Sequence, residues 1–183
     1  MTKRKSLFVT IGIPASGKST WISRRRSATV ISPDEIRKEL YDDYQKGISS
    51  PAVWNEAYSR LEKCLKEKNE CIFDATNTIP SHRAPIIKRG KEAGANVIAV
   101  FFPIDVRFAI YRNSKRRPRE KRVPNHVIHH YHDMLVPPTK NEGFDSIVVR
   151  RQLPTVNDCK GMGGTIIRNK CEICDRLELE KMT

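Results

Sequence analysis

The sequence contains no hydrophobic run long enough to cross a lipid bilayer. A membrane-spanning helix needs ~20 consecutive, mostly apolar residues, whereas the apolar stretch that follows the basic residues Lys3–Lys5 is only Leu7–Ile11. The same stretch is shorter than the hydrophobic segment of a secretory signal peptide. We therefore expect a soluble, cytoplasmic protein without a membrane partner.

Cysteine is also scarce, because the 183 residues include only five, at irregular positions. Secreted domains that depend on disulfides usually carry even numbers of cysteines at regular spacings. An odd number in a chain of this length favours reduced thiols. We expect Cys64 and Cys71 to be small residues of the core.

Acidic residues are few in comparison with basic ones. The chain has 34 lysines and arginines against 21 aspartates and glutamates, which gives a formal net charge of +13 at pH 7. Such an excess of positive charge favours a polyanionic partner. Nucleic acid is the leading candidate, and a basic surface that is merely solvated is the alternative.

Apolar, β-branched runs alternate with helical stretches through most of the chain. The hydrophobic pattern predicts strands at about 7–11, 28–31, 71–74, 96–102 and 145–149. It predicts helices at about 18–26, 33–46, 51–68, 80–93, 105–116 and 124–135. This alternation is typical of an α/β fold with a central parallel sheet and helices on both faces. We expect one domain over residues 1–153 and a small appendage, rich in cysteine and glycine, over 154–183.

The most specific motif follows the first predicted strand. Residues 12–19, GIPASGKS, match the phosphate-binding loop (P-loop) pattern G-x-x-x-x-G-K-[ST]. In this pattern backbone N–H groups point at phosphate oxygens, Lys18 reaches the β- and γ-phosphates, and the Ser19 hydroxyl binds Mg²⁺. ATP and Mg²⁺ are therefore the predicted cofactors. The predicted nucleotide-binding residues of this segment are Gly12, Pro14, Ala15, Ser16, Gly17, Lys18, Ser19 and Thr20.

A second group of residues lies at the start of the helix predicted from residue 33. Ser32 followed by Glu35 is a capping-box pattern, and Pro33 suits the first helical position. Asp34 and Arg37 are three residues apart and share one face of the first turn. Asp34 could accept the proton of an attacking hydroxyl while Arg37 holds a phosphate of the acceptor. In the alternative, Asp34 only complements the helix dipole and Arg37 is its partner at the surface.

A third group follows the strand predicted at 71–74, where the sheet edge should meet the phosphates and the metal. Its predicted substrate-binding residues are Asp74, Thr76, Asn77 and Arg83. Asp74 could order metal-bound water or the attacking group. In the alternative, Asp74 and Asn77 satisfy backbone groups of the loop and cap the next helix.

Residues 107–122 carry eight basic side chains and one acidic one. The segment begins on a predicted helix and continues into a stretch that is broken by Pro118. This pattern predicts a mobile flap, at about 112–123, that covers bound ATP and supplies positive charge as the transition state forms. Arginine suits this role because its guanidinium grips phosphate oxygens in pairs. An ordinary solvated basic run is the alternative.

The C-terminal cysteines resemble two knuckles of a zinc ribbon, although the first knuckle has one cysteine. Structural zinc sites normally take four ligands. Cys159, Cys171 and Cys174, with a further ligand such as Asp158 or Asp175, could hold a structural Zn²⁺. A tail with free thiols is the alternative. The histidines of the last predicted helix have helical spacing but no third ligand, and we expect them to contact the flap or nucleic acid.

Taken in order, these motifs resemble the kinase domain of phage-type 5′-hydroxyl polynucleotide kinases. The resemblance covers roughly residues 7–136 and is strongest in the flap sequence. It rests on the P-loop, on Asp34-x-x-Arg37, on Thr76-Asn77 with Pro80 and Arg83, and on Arg112-Asn113-Ser114-Lys115-Arg116 followed by Val123-Pro124.

The resemblance implies a P-loop kinase fold and a set of residue roles. Lys18 and Ser19 would hold the β/γ-phosphates and Mg²⁺, and Asp34 would be the general base. Arg37 would contact the phosphate next to the acceptor hydroxyl. Arg116 would contact the transferring phosphates, with Arg112 close by.

The chain departs from that family in two respects. The family places an acidic residue immediately before the Thr-Asn pair, where this chain has Ala75 and the acid, Asp74, comes one residue earlier. A shift of one residue along a strand would point the side chain to the other face. The chain also lacks an Asp-x-Asp phosphatase motif, which predicts a kinase alone.

The predicted activity is transfer of the γ-phosphate of ATP to a hydroxyl of a nucleic acid, most simply the 5′-hydroxyl end of DNA or RNA. One alternative is a kinase that phosphorylates hydroxymethyl groups on modified bases within phage DNA, in the host cytoplasm. Others are a nucleoside or small-molecule kinase and an ATP-dependent nucleic-acid-binding switch. The sequence does not discriminate between DNA and RNA and does not indicate an oligomeric state.

Overall fold

The computed structural model of the protein describes residues 5–44, 50–151, 159, 161 and 162, together with the backbone of 166–167 and 170–171. Its main sheet has five parallel strands in the order β2-β3-β1-β4-β5. These strands are β1 (Ser6–Ile11), β2 (Thr29–Ile31), β3 (Glu70–Phe73), β4 (Asn96–Phe101) and β5 (Ser146–Val149). The predicted α/β fold with a central parallel sheet is confirmed.

Six α-helices connect or flank these strands in the described part of the chain. They are α1 (Lys18–Ile22), α2 (Pro33–Tyr41), α3 (Pro51–Glu67), α4 (Pro80–Glu92), α5 (Val106–Ser114) and α6 (Asn125–Asp133). Helices α1 and α2 are shorter than the predicted 18–26 and 33–46. Helix α2 ends because Asp42 takes a left-handed conformation (φ 55°) and its N–H bonds back to the carbonyl of Lys38.

Helices cover both faces of the sheet. Side chains alternate in direction along each strand, so each strand packs against helices on both sides. Leu7 and Val9 of β1 are fully buried in the main core cluster with residues of α3 and α4. Phe8, between them, packs edge-to-face on Trp21 of α1, with ring centroids 5.7 Å apart. The apolar residues of β1 therefore make contacts on both sides of the sheet.

The start of α2 has the predicted cap. Ser32 Oγ accepts a hydrogen bond from the N–H of Glu35 at 3.4 Å, and Pro33 is the first helical residue. The carboxylate of Glu35 serves another purpose. It accepts from the Tyr44 hydroxyl at 3.1 Å and from Lys121 Nζ at 3.0 Å. The cap places Asp34 and Arg37 in the first turn of a helix that begins directly after β2.

Cys64 and Cys71 form a disulfide, with their Cα atoms 6.3 Å apart. The prediction that they lie in the core is confirmed, because their exposed fractions are 4% and 1%. The prediction of reduced thiols was wrong for this pair. A short connection turns the chain from the end of α3 into β3, which brings cysteines seven positions apart within bonding distance.

The C-terminal segment contributes a short antiparallel ladder between β6 (Ile166–Ile167) and β7 (Lys170–Cys171). Before it, Cys159 is fully buried. A Cβ atom added at Gly161 would lie 2.6 Å from the Tyr111 ring, so the backbone of the segment passes close to α5. The other residues of the predicted appendage lie largely outside the described part.

Candidate active site

Three segments meet at one edge of the sheet, because β1, β2 and β3 are parallel and each is followed by a predicted functional group. The P-loop follows β1, Asp34 and Arg37 follow β2, and Asp74 follows β3. Together with the flap they line a cleft of about 730 Å³. This volume suits a small molecule or cofactor.

The backbone of the P-loop is tightly curved. Ala15 and Gly17 have positive φ angles of 63° and 103°, and this alternation of conformations turns successive N–H groups toward a common centre. A Cβ atom at Gly12 would lie 2.7 Å from Ser16 Oγ, so only glycine fits there. Residues 14–20 line the cleft. Gly12 lies beneath them and bonds through its N–H to the carbonyl of Thr76 at 2.9 Å.

Lys18 is the electrostatic centre of the cleft. Its Nζ donates to the carbonyls of Gly12 at 2.8 Å and Ile13 at 3.0 Å. Desolvation lowers the pKa of Lys18 to about 8, the charges of Asp74 and Asp34 oppose this shift, and the charge of Arg116 adds to it. Charged groups from the ends of β2 and β3 and from the flap therefore all act on the lysine of the P-loop.

This shift predicts that nucleotide binding weakens in mild alkali. The Lys18 ammonium is charged below a pKa of about 8 and neutral above it, so its attraction for phosphate is lost as the pH rises. We expect the Kd for ADP, measured by calorimetry, to increase about tenfold between pH 7 and 9.5. In the control variant Lys18→Arg the guanidinium stays charged, and its Kd should be flat over that range. A flat wild-type profile would contradict the prediction.

Asp34 and Arg37 form a pair with unequal exposure. Arg37 Nη1 donates to Asp34 Oδ1 at 2.7 Å and to the carbonyl of Tyr44 at 3.1 Å. The Arg37 side chain is 7% exposed, whereas that of Asp34 is 74% exposed. Arg37 is therefore not a surface partner of Asp34. It is a buried anchor that orients a carboxylate at the wall of the cleft.

Asp74 also lines the cleft. It comes after the last residue of β3, Phe73, so the alternation of the strand no longer sets its direction. Its Oδ1 accepts from the Thr10 hydroxyl at 3.0 Å. Burial raises the pKa of the Asp74 carboxyl, and the nearby Lys18 charge opposes that shift. Ala75 and Thr76 line the cleft as well, so the first residues of this loop face the site.

Asn77 and Arg83 do not line the cleft. Asn77 is 2% exposed, and its amide donates to the carbonyl of Thr10 at 2.8 Å. Arg83 is fully buried, where its Nε lies 2.7 Å from Glu142 Oε2 and its Nη1 donates to the carbonyl of Val136 at 2.9 Å. Asn77 thus satisfies a backbone carbonyl of β1, and it does not cap α4, whose N-cap is Ile79. The contacts of Arg83 correct its substrate-binding prediction, because the guanidinium has its partners in the core.

The buried Arg83–Glu142 pair predicts a large stability effect. Glu142→Gln leaves the fully buried guanidinium without its counter-charge. Removing one partner of a buried ion pair costs about 3–5 kcal/mol of unfolding free energy. Urea denaturation would measure the loss. The control is Glu92→Gln, which removes an exposed pair to Lys88 at 3.9 Å and should cost less than about 1 kcal/mol. Equal losses in the two variants would contradict the prediction.

Hydrogen bonds between Asn113 and Val123 hold the two ends of the flap together. The Asn113 amide is 4% exposed, donates to the carbonyl of Val123 at 2.7 Å and accepts from its N–H at 3.1 Å. These bonds close residues 113–123 into a loop that includes a 3-10 turn at Arg119–Lys121. Arg112 and Arg116 both line the cleft. Two residues before Val123, Lys121 forms an ion pair with Glu35 at 3.0 Å, so the flap contacts α2.

Sequence reasoning missed the aromatic residues of the cleft. Tyr44, Trp54, Tyr111 and Tyr131 all line it. Their rarity is the one signal in the sequence that could have drawn attention to them. Aromatic residues make up 7% of the chain, and only two are tryptophan. Sequence spacing alone cannot show which of them reach a cleft, because they come from different parts of the chain.

The zinc prediction receives no support from the described residues, among which no three His, Cys, Asp or Glu side chains are placed to share a metal ion. Cys174 and the side chain of Cys171 lie outside the described part. The α6 histidines His126, His129, His130 and His132 are exposed. None of the helices in the described ranges is long and apolar enough to span a bilayer.

Comparison with known proteins agrees with this geometry. A family model, AAA_33, described as an AAA domain, matches residues 7–138, which is more than half of the chain. The chain belongs to this AAA domain family. No curated protein matches it.

Several solved structures share the fold of this AAA domain. A chain of the Pnkp1/Rnl/Hen1 RNA repair complex has a TM-score of 0.65 and 21% identity, over 74% of this chain and 45% of that chain. A gluconokinase from Sinorhizobium meliloti 1021 has a TM-score of 0.57 and 14% identity, over 98% and 99% of the two chains. Kti12 from Chaetomium thermophilum, in complex with ADP-AlF3, has a TM-score of 0.58 and 19% identity, over 83% and 92%.

At these identities the likeness concerns the fold. The AAA domain shares the P-loop kinase fold of these structures. It spans less than half the length of the RNA repair complex chain that it matches. The finer resemblance to phage-type polynucleotide kinases stays a prediction.

Proposed function

We propose that the protein is an ATP-dependent kinase that transfers the γ-phosphoryl group to a hydroxyl of a nucleic acid, with a 5′-hydroxyl end of DNA or RNA as the acceptor. One observation carries this proposal. The P-loop lysine Lys18, the exposed carboxylate of Asp34 and the flap arginine Arg116 line the same cleft. A donor site, a base and a positive charge beside the transferring phosphate are the parts that phosphoryl transfer requires.

The P-loop forms the donor side. Its inward-facing N–H groups and Lys18 would bind the phosphates of ATP, at the positive end of α1. Mg²⁺ fits the groups present, because the exposed Ser19 hydroxyl and the Asp74 carboxylate are hard oxygen ligands in one cleft. When bound, the ion would neutralise phosphate charge. Arg112 and Arg116 would approach from the flap.

Asp34 and Arg37 form the acceptor side. The Asp34 carboxylate would take the proton of the acceptor hydroxyl as its oxygen forms a bond to the γ-phosphorus. The bond from that phosphorus to the β–γ bridging oxygen breaks, and ADP leaves with the electron pair. Arg37 holds the carboxylate through Oδ1, which keeps the base oriented. Its guanidinium would also attract the phosphate next to the acceptor hydroxyl.

Charge supports a nucleic acid as the acceptor. The chain carries a formal charge of +13, and the flap places Lys115, Arg117 and Lys121 along the cleft in addition to Arg116. A row of cations beside the reacting groups would hold the backbone phosphates of a polynucleotide. A kinase whose acceptor is a small neutral sugar would not need these cations to hold the acceptor.

Transfer of label from γ-labelled ATP tests the proposal. The substrates are a 5′-hydroxyl oligonucleotide, the same strand with a 5′-phosphate, and a blocked strand with internal hydroxymethyluracil. We expect label on the 5′-hydroxyl strand alone, at a rate that falls steeply with salt. Label only on the modified base would mean that the acceptor is an internal hydroxymethyl group and not the strand end. No label on any strand would overturn the proposal in favour of a small molecule or a nucleotide-dependent binding switch.

A further inference from the structure

The wall of the cleft contains one tryptophan, Trp54, from the first turns of α3. The other tryptophan of the chain, Trp21, is not part of the cleft lining; it packs edge-to-face on Phe8 and Phe102 and under Arg25. Trp54 is partly buried and packs against the main core cluster. Its packing explains its position, but not why part of a large apolar ring faces a charged cleft.

The indole of Trp54 is held by a row of aromatic rings. Its centroid lies 6.1 Å from that of Tyr58, and the Tyr58 ring is stacked on Phe73 at 6.3 Å and 18°. Phe73 is the last residue of β3 and directly precedes Asp74. The row therefore leads from the end of β3 to the cleft wall and limits movement of the indole. A rigid aromatic surface loses little entropy when a ligand stacks on it.

Trp54 comes from α3, which packs on the helix that carries Asp34. Helices α2 and α3 pack together, and the Tyr41 hydroxyl is 2.8 Å from Ser50 Oγ at the start of α3. The flap arginines, by contrast, come from α5 and the loop after it. The Tyr44 ring, also in the lining, is already covered, because Lys121 lies 4.9 Å from its centroid and Lys38 5.7 Å. Among the described residues no cation is placed over the Trp54 ring, so Trp54 offers a stacking surface in the wall of the cleft.

We infer that Trp54 stacks on the nucleobase next to the acceptor hydroxyl and thereby selects a nucleotide unit as the acceptor. This inference rests on the proposed function and narrows it. Stacking of a base on an aromatic side chain tolerates any base, because every base has a π-face. Sugars and polyols can contact an indole only through their C–H groups, so stacking of a planar base favours a nucleotide unit over them. The acceptor would thus be held at three points, through its hydroxyl, its phosphate and its base.

Tryptophan fluorescence tests the contact without turnover. The variant Trp21→Phe leaves Trp54 as the only tryptophan, and Trp54→Phe leaves Trp21. We expect a 5′-hydroxyl oligonucleotide, added with ADP, to quench the emission of Trp21→Phe and to leave that of Trp54→Phe unchanged. An oligonucleotide whose 5′ residue is an abasic tetrahydrofuran should quench neither. Equal quenching of both variants, or quenching by the abasic strand, would overturn the inference.

Kinetics give an independent readout. In the wild type we expect the abasic strand to have a KM about tenfold above that of the normal strand. In Trp54→Ala the KM for the normal strand should rise to the value for the abasic strand. The KM for the abasic strand should change little, and the KM for ATP should stay constant. Additive effects of the two changes would overturn the inference even if the kinase activity is present. Quenching of Trp54 without any phosphorylation would instead retain the base contact and reject the kinase proposal.

Discussion

Asp34→Asn is expected to lower kcat for phosphoryl transfer by on the order of 10³-fold, within the range that a general base contributes. The amide oxygen of asparagine can still accept the bond that Arg37 Nη1 now donates to Asp34 at 2.7 Å, so the geometry should persist. The amide cannot take a proton from the acceptor. Single-turnover assays with labelled ATP would measure the loss, and calorimetry should show ATP binding within about twofold of wild type.

The matched control is Asp42→Asn. Asp42 is 97% exposed just after α2, pairs with Lys38, and is not part of the cleft lining. Removing its charge should leave kcat within about twofold of wild type. Full activity of Asp34→Asn would remove the carboxylate from the mechanism.

Arg116→Ala is expected to lower kcat by on the order of 10³-fold or more, by comparison with arginines that act on transferring phosphates. Arg116 lines the cleft, and its charge helps to lower the pKa of Lys18. Because the effect arises as charge moves in the transition state, the KM for ATP should change much less than kcat.

Arg119→Ala is the control within the same flap. Arg119 lies in the 3-10 turn, outside the cleft lining, and its loss should change kcat by less than about threefold. Arg116→Lys should recover only part of the wild-type rate, since lysine keeps the charge without the paired donors. Equal losses for Arg116→Ala and Arg119→Ala would mean that the flap acts through its net charge alone.

The features that could be predicted from the sequence are those that depend on neighbours in the chain. The P-loop is encoded in eight consecutive residues, and its shape follows from glycine at positions such as 12 and 17. The cap at Ser32 and the first helical position of Pro33 depend on a four-residue pattern. The alternation of apolar strands with helices likewise repeats over short windows, and it predicted the parallel sheet.

The end of a helix was less predictable. The pattern continues past Tyr41, and no glycine or proline marks the boundary of α2. Asp42 ends the helix by taking a left-handed conformation, which Lys38 supports by an ion pair at 2.9 Å. Aspartate visits this region more readily than most residues, but rarely enough that the sequence does not indicate it.

Contacts between distant segments were beyond sequence reasoning. Arg83 fitted a motif for substrate binding, yet its ion pair with Glu142 places it in the core. Trp54 reaches the cleft because α3 packs on α2, and Lys121 meets Glu35 because the flap folds back on that helix. Local patterns specify which elements form, since their energies come from adjacent residues. The partner of each side chain depends on the order β2-β3-β1-β4-β5, which brings together segments that are far apart in the chain.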